Sequence, residues 1–261
     1  MESNSVDPSA PPASSQSGDG GQFTFADHHV LDDSPTRDFY RVLMQGLVHK
    51  TNNMLGVIQG FSSLILMEDD LDAGVKENVE QMRDSAVNSS ELNKIILIAG
   101  GCSRISTAPM GLAETLPNIE QNARAICSAQ GVELQFNARP GLPSINADST
   151  RLNEIITELV KNAAEAAAEV PGGEVAIDVL PPGEVSPATE RRVDLFVRNT
   201  GNDIPADKIY KSFEAFHTTK DNSHYGIGLT TASVLAGQMG MRLGLRSAEG
   251  TTTAWLSIPA E

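Results

Sequence analysis

The sequence predicts an α plus α/β protein: an antiparallel helical hairpin that pairs with a second copy as a dimeric four-helix bundle, followed by an α/β two-layer sandwich. Three observations predict it. Two long apolar stripes at helical spacing flank a short acidic turn. Beyond Gly111 the period shifts to alternating runs interleaved with helical ones, and clusters rich in Gly and Pro separate the alternating runs.

Residues 1–33 hold Pro11-Pro12, many Ser and Gly and several acids, with too little apolar material to offset the entropy of ordering. They are expected to form a flexible acidic tail, in which Phe23, Phe25, Val30 and Leu31 supply a small apolar cluster able to dock. Ser34-Pro35 reads as an N-cap and first-turn pair. After it, Leu43, Leu47, Met54, Ile58, Phe61 and Ile65 recur at mostly three, four or seven residues. The turn Glu68 to Gly74 leads to a second helix with Val75, Val79, Met82, Ala86, Ser89, Leu92, Ile96 and Ala99 at heptad-like spacing. A lone hairpin leaves much of each stripe wet, and pairing two hairpins covers both. A monomer whose hairpin packs on the second unit is the alternative.

Residues 114–129 read as a helix, Val132 to Phe136 as a strand, and Ser149 to Val170 as an amphipathic helix capped by Asp148 or Ser149. Glu174 to Leu180 and Arg192 to Val197 alternate as strands. Leu229 to Met239 is helical, and Met241 to Ser247 with Thr251 to Ile258 form a closing hairpin around Glu249-Gly250. The expected units are the tail, 34–108 and 112–261.

The formal net charge of −15 argues against broad attraction to nucleic acid or anionic membrane, and no long Lys/Arg cluster opposes it. Cys102 and Cys127 lack metal-ligand or disulfide-framework spacing and read as reduced core thiols. There is no basic-then-apolar leader and no run of about eighteen apolar residues, so the chain is expected to be cytoplasmic without membrane insertion.

Five polar signatures remain. They are His49-Lys50-Thr51-Asn52-Asn53; Glu158 to Glu165 with Asn162; Asn199-Thr200-Gly201-Asn202-Asp203; Phe213 to Lys220; and Gly226-Ile227-Gly228-Leu229. An imidazole accepts a phosphoryl group because one ring nitrogen keeps a lone pair while the other holds the proton. Glu158, Asn162 and Glu165 share one helical face, a pattern that by itself suggests a solvated stripe. Gly226 and Gly228 allow a tight backbone at a helix start, whose amides favour phosphate.

In this order the signatures resemble the core of bacterial two-component sensor histidine kinases over roughly residues 38–261. That core comprises a dimerisation and histidine-phosphotransfer hairpin and an ATPase-like catalytic unit of the histidine kinase, gyrase, Hsp90 and MutL type. The span leaves no room for a recognisable sensory or receiver domain. The resemblance implies that His49 is the phosphoacceptor, that Asn53 positions water in dephosphorylation, and that Asn162 binds Mg2+ beside the phosphates of ATP. It also implies that Glu158 orients the metal shell or the phosphoacceptor, and that Thr218, Thr219 and Lys220 meet the polyphosphate. A structural histidine at 49 and surface amides at 53 and 162 are the plainer alternatives.

Four positions depart from the pattern. Lys50 replaces the usual acid that holds the imidazole proton. Asn199 replaces the Asp that accepts the adenine amino hydrogen; Gly201 is kept, while Asp203 and His224 stand where the family has glycines. A charge-assisted hydrogen bond contributes about 1.5–3 kcal/mol and a neutral one about 0.5–1.5, so ATP binding is expected to weaken roughly tenfold or more. Asp203 is expected to add an anion near the nucleotide edge. Two classes of function follow. One is a kinase that autophosphorylates His49 from Mg2+-ATP and passes the group to an Asp of a response-regulator receiver domain. The other is an ATP-independent phosphotransferase fed by an upstream kinase or sensor protein, or a non-catalytic dimeric regulator or phosphatase.

Overall fold

The computed structural model describes residues 23–26, 35–183, 191–218 and 225–261. An N-terminal helical hairpin precedes a mixed α/β sheet domain. Helix α1 (Pro35–Ile65) and helix α2 (Ala73–Ala99) form the hairpin. Asp72 starts α2 by accepting from the amides of Gly74 at 2.9 Å and Val75 at 3.3 Å, which satisfies donors with no partner inside the helix.

The two helices meet through a mixed face. Val48, Ser62, Val79 and Ala86 are buried there. Asn93 Nδ2 donates to Asn52 Oδ1 at 2.8 Å, and Gln59 Nε2 to Ser90 Oγ at 3.3 Å. The stripe expected from periodicity lies on the neighbouring face. Leu43, Leu47, Met54, Ile58, Phe61 and Ile65 are all exposed in the single chain, Met54 at 60% and Phe61 at 64%; on α2, Val75 and Met82 are exposed as well. One hairpin therefore leaves a wide apolar face in water.

The second unit opens with strand β2 (Ala108–Gly111) and helix α3 (Leu112–Ala129). Strands β3 (Glu133–Ala138) and β4 (Ser144–Ala147) follow, then helix α4 (Ser149–Ala168). Next come strands β5 (Glu174–Leu180) and β6 (Arg192–Thr200), the single-turn helix α5 (Ala206–Ile209) and a 3-10 turn at Tyr210–Phe213. Helix α6 (Gly228–Gln238) and strands β7 (Arg242–Ala248) and β8 (Thr251–Pro259) close the chain. Strand β1 (Thr24–Phe25) joins the edge, giving the order β1-β7-β8-β6-β5-β3, in which only β3 and β5 run parallel; β2 and β4 make a separate antiparallel pair.

The core lies between this sheet and α3, α4 and α6. Leu112, Ile155, Ile177, Leu195, Leu235 and Leu256 are fully buried in it, each contributing about 1.5–3 kcal/mol by leaving water. The hairpin docks on the same unit at one end. Ile98 packs against the core, and Gln238 Nε2 on α6 donates to Gly101 O at 3.1 Å. The connecting strand is pinned by Asp148, whose Oδ2 accepts from Ser106 N at 3.0 Å. Among the described residues no helix is long and apolar enough to cross a membrane.

The expected flexible tail is thus only partly described. Phe23–Ala26 lies within the described residues and is docked, with Ala26 N donating to Leu243 O at 3.0 Å. Val30 and Leu31 lie outside them.

Candidate functional site

Helix α4 supplies the first wall. Asp148 caps it, Oδ1 accepting from Thr150 N at 3.1 Å and Arg151 N at 3.2 Å. Leu152, Ile155, Ile156, Leu159, Val160, Ala163, Ala164 and Ala167 recur on its buried face and lock its rotation. That rotation leaves Glu158, Asn162 and Glu165 half-buried on one rim, as their spacing predicts. Glu158 Oε1 accepts from Lys161 Nζ at 3.2 Å.

The start of α6 supplies the second wall. Glu158 Oε2 lies so close to Gly228 that a Cβ there would stand 2.5 Å from it. Gly226 has φ +64°, and a Cβ on it would stand 2.6 Å from His217 O. A side chain at 228 would have to displace the Glu158 carboxylate, whereas Gly226 is required both by its contact with backbone and by its conformation. The same approach holds together the two ends of the segment between His217 and Gly226. Thr218 is exposed at its first end; Thr219, Lys220 and His224 lie outside the described residues. The first amides of α6 have no intrahelical partner and carry the positive end of the helix dipole.

Strand β6 supplies the third wall. Asn199 pairs with Val175 and Thr252 and is only 5% exposed. Its Nδ2 donates to Thr200 O at 3.0 Å, which engages one of its two N–H donors, while Oδ1 is the acceptor half of the amide. Gly201 N donates to Gly250 O at 2.9 Å, and Gly201 approaches both Asn199 Nδ2 and Ala166 O of α4. Asp203, the anion expected near the nucleotide edge, has a structural partner. Its Oδ1 accepts from Gly250 N at 2.9 Å, binding the β7–β8 turn to the loop after β6.

His49 sits elsewhere, exposed on α1, with Lys50 and Asn53 exposed beside it and Asn52 turned toward α2. Thr51 Oγ1 donates back to Leu47 O at 2.6 Å, so its hydroxyl is engaged within the helix. Glu158, Asn162, Asn199, Gly201, Gly226 and Gly228 are therefore brought to one rim, whereas His49 and Asn53 belong to the hairpin. Two contributors carried only a weak sequence signal: the second oxygen of Asp148, and Ser247 Oγ, which accepts from Ile204 N at 2.9 Å and meets Thr252 Oγ1 at 2.8 Å next to Asn199.

Burial raises the pKa of the Cys102 and Cys127 thiols, opposed more weakly by Arg41 and Arg124 respectively. Neither is poised as a nucleophile.

Residues 147–261 match the family described as histidine kinase-, DNA gyrase B-, and HSP90-like ATPase. This part of the chain is a histidine-kinase-like ATPase domain. The autoinducer 2 sensor kinase/phosphatase LuxQ of Vibrio parahaemolyticus is 28% identical over 236 residues, which cover 86% of the chain and 26% of that protein. The sensory histidine kinase/phosphatase NtrB of Rhizobium leguminosarum bv. phaseoli is 28% identical over 159 residues, or 58% of the chain and 41% of that protein. The chain thus spans less than half the length of either relative. Among solved structures, full-length ShkA in complex with AMPPNP shares the fold at a TM-score of 0.68, with 24% identity over 84% of the chain and 45% of ShkA. Histidine kinase ThkA in complex with response regulator TrrA shares it at 0.53, with 20% identity over 84% of the chain and 61% of that chain.

Proposed function

We propose that the chain is the transmitter core of a two-component signalling protein. Residues 34–108 would form the dimeric phosphoacceptor hairpin, and residues 112–261 a weakly ATP-binding unit that phosphorylates His49. The observation that carries this reading is the convergence of Glu158, Asn162, Asn199–Gly201 and Gly226–Gly228 on one rim, where a side chain at 226 would strike the His217 carbonyl and one at 228 would displace the Glu158 carboxylate. Such a cradle suits a polyphosphate approached by backbone amides.

In this reading Asn199 Oδ1 accepts from the adenine amino group, and the α6 amides meet the phosphates. Asn162 would hold Mg2+, Glu158 would orient the metal shell or the incoming imidazole, and Thr218, Thr219 and Lys220 would meet the polyphosphate as the resemblance implies. ATP supplies the phosphoryl group. At His49 an N–P bond forms as the bond to ADP breaks, and the proton on the other ring nitrogen needs an acceptor. Lys50, a cation, does not supply one; its charge suits the acidic pocket of a receiver domain. The likeness to a kinase solved with its response regulator, and to relatives named kinase/phosphatase, supports a receiver Asp as the next acceptor and a dephosphorylating activity, in which Asn53 would position the water.

Lys50 and the neutral Asn199 together favour a second reading, in which His49 relays a phosphoryl group from another kinase or the dimer regulates without catalysis. Calorimetric titration of Mg2+-ATP into the full chain, paired with assay for labelled phosphate, separates the two. Weak binding with acid-labile, alkali-stable label lost in His49→Ala supports the autokinase. Undetectable binding that persists in Asn199→Asp, with no label from ATP, supports the relay or regulator.

A further inference from the structure

The edge of the main sheet carries a second recognition surface, on the face turned away from the helices. Neither Phe196 nor Trp255 belongs to the core between sheet and helices, although both are buried, Trp255 to 3% exposure. Trp255 is fixed in place. Its Nε1 donates to Asp194 Oδ1 at 2.8 Å, and its ring stacks on Phe196 with centroids 6.0 Å apart.

Against this platform lies β1. Phe23 and Phe25 meet the Trp255 ring edge-on at centroid distances of 5.1 and 5.2 Å. The Arg246 guanidinium stands over the Phe23 ring at 5.2 Å. Phe25 pairs with Gly244 and lays its ring across it; a Cβ at 244 would stand 3.0 Å from Phe25 Cε1 and 3.1 Å from Cδ1. A notch at Gly244, an aromatic platform at Trp255 and the outer ladder edge of β7, on which β1 pairs, select two rings spaced two residues apart on an extended segment.

We propose that this edge is a docking site for a Phe-x-Phe strand, and that its occupant is the chain's own Phe23–Ala26, held as a detachable strap. The ladder is only two residues long and Phe25 is 40% exposed, so the hold is local. The preceding sequence, Ser14 to Gly21, has no large apolar residue to strengthen it. Charge favours the same occupant, since Asp19 and Asp27 flank the segment and β7 carries Arg242 and Arg246. Residues 27–34 can span up to about 30 Å, so docking restrains the start of α1 against the sheet while leaving it a limited reach.

Trp255 is the only tryptophan, which makes the test direct. In the full chain, Phe23→Ser with Phe25→Ser should shift its emission to longer wavelength and raise quenching by acrylamide, with far-UV circular dichroism unchanged. A synthetic peptide of residues 20–28 at about millimolar, the effective concentration of a short tether, should restore the original emission. The peptide with both Phe replaced by Ser should not. Gly244→Val alone should reproduce the shift by displacing Phe25 from the other side; if that variant fails to fold, the double variant and the two peptides decide. Emission unmoved by the double substitution, or restored equally by the serine peptide, overturns the proposal.

Discussion

Asn199 shows how one amide both weakens a site and settles itself within it. One N–H of its amide is held by Thr200 O, and Oδ1 is a neutral acceptor. Asn199→Asp should tighten Mg2+-ATP about tenfold in a calorimetric titration, because a charged acceptor contributes roughly 1.4 kcal/mol more than a neutral one. The same variant sets a carboxylate against the Thr200 carbonyl, so the ligand-free protein should melt at lower temperature. Gly228→Ala should weaken binding severalfold in the same titration for a different reason: its methyl displaces the Glu158 carboxylate at the mouth of α6. Glu158, Asn162 and the glycine pair could be singled out in the sequence because helix spacing places the first two on one face and turn chemistry marks the glycines, while the resemblance implies their roles. The Asp203–Gly250 bond could not, since it joins residues whose proximity depends on β6 and β8 being neighbours.

At the scale of elements, Asp148 ties a helix start to the connection between hairpin and sheet. The Ser106 amide, with those of Arg151 and Thr150, holds its carboxyl below the usual Asp range. A lowered value in the folded state means that the stabilisation is complete above the ordinary Asp value of about 3.9 and is lost as pH falls below it. Asp148→Ala should cost about 1 kcal/mol, or roughly 2–4 °C in Tm, at neutral pH. Thermal scans should show the gap from the native chain narrowing below about pH 3.9. Long elements such as α4, β5 and β6 were readable because many residues agree on one period. The strands that escaped are short and formed by distant pairing. Ala108–Gly111 contains Pro109 and Gly111, which oppose strand propensity, and Ser144–Ala147 is too brief to show a period. Thr24–Phe25 is visible only through Trp255 and Gly244, far along the chain.

For the whole molecule, the question is what covers the hairpin. Leu43, Leu47, Met54, Ile58, Phe61 and Ile65 make the apolar stripe that a lone hairpin is expected to leave wet, and in one chain they are exposed while a narrower face holds α1 to α2. A second copy of the same face would cover them, because a twofold pairing opposes like surfaces. Two consequences separate this from a hairpin that is merely wet. The mass in sedimentation equilibrium should rise with concentration toward twice that of the chain. Met54→Glu should weaken association at least tenfold, since it sets an unpaired charge in the covered face at a cost above about 1.4 kcal/mol. Lys94→Glu, on an exposed and ion-paired part of α2, should change it little. A mass of one chain at every concentration would remove the bundle, and with it transfer between protomers. His49, exposed on α1, would then have to receive its phosphoryl group from residues 112–261 of the same chain or from a separate kinase.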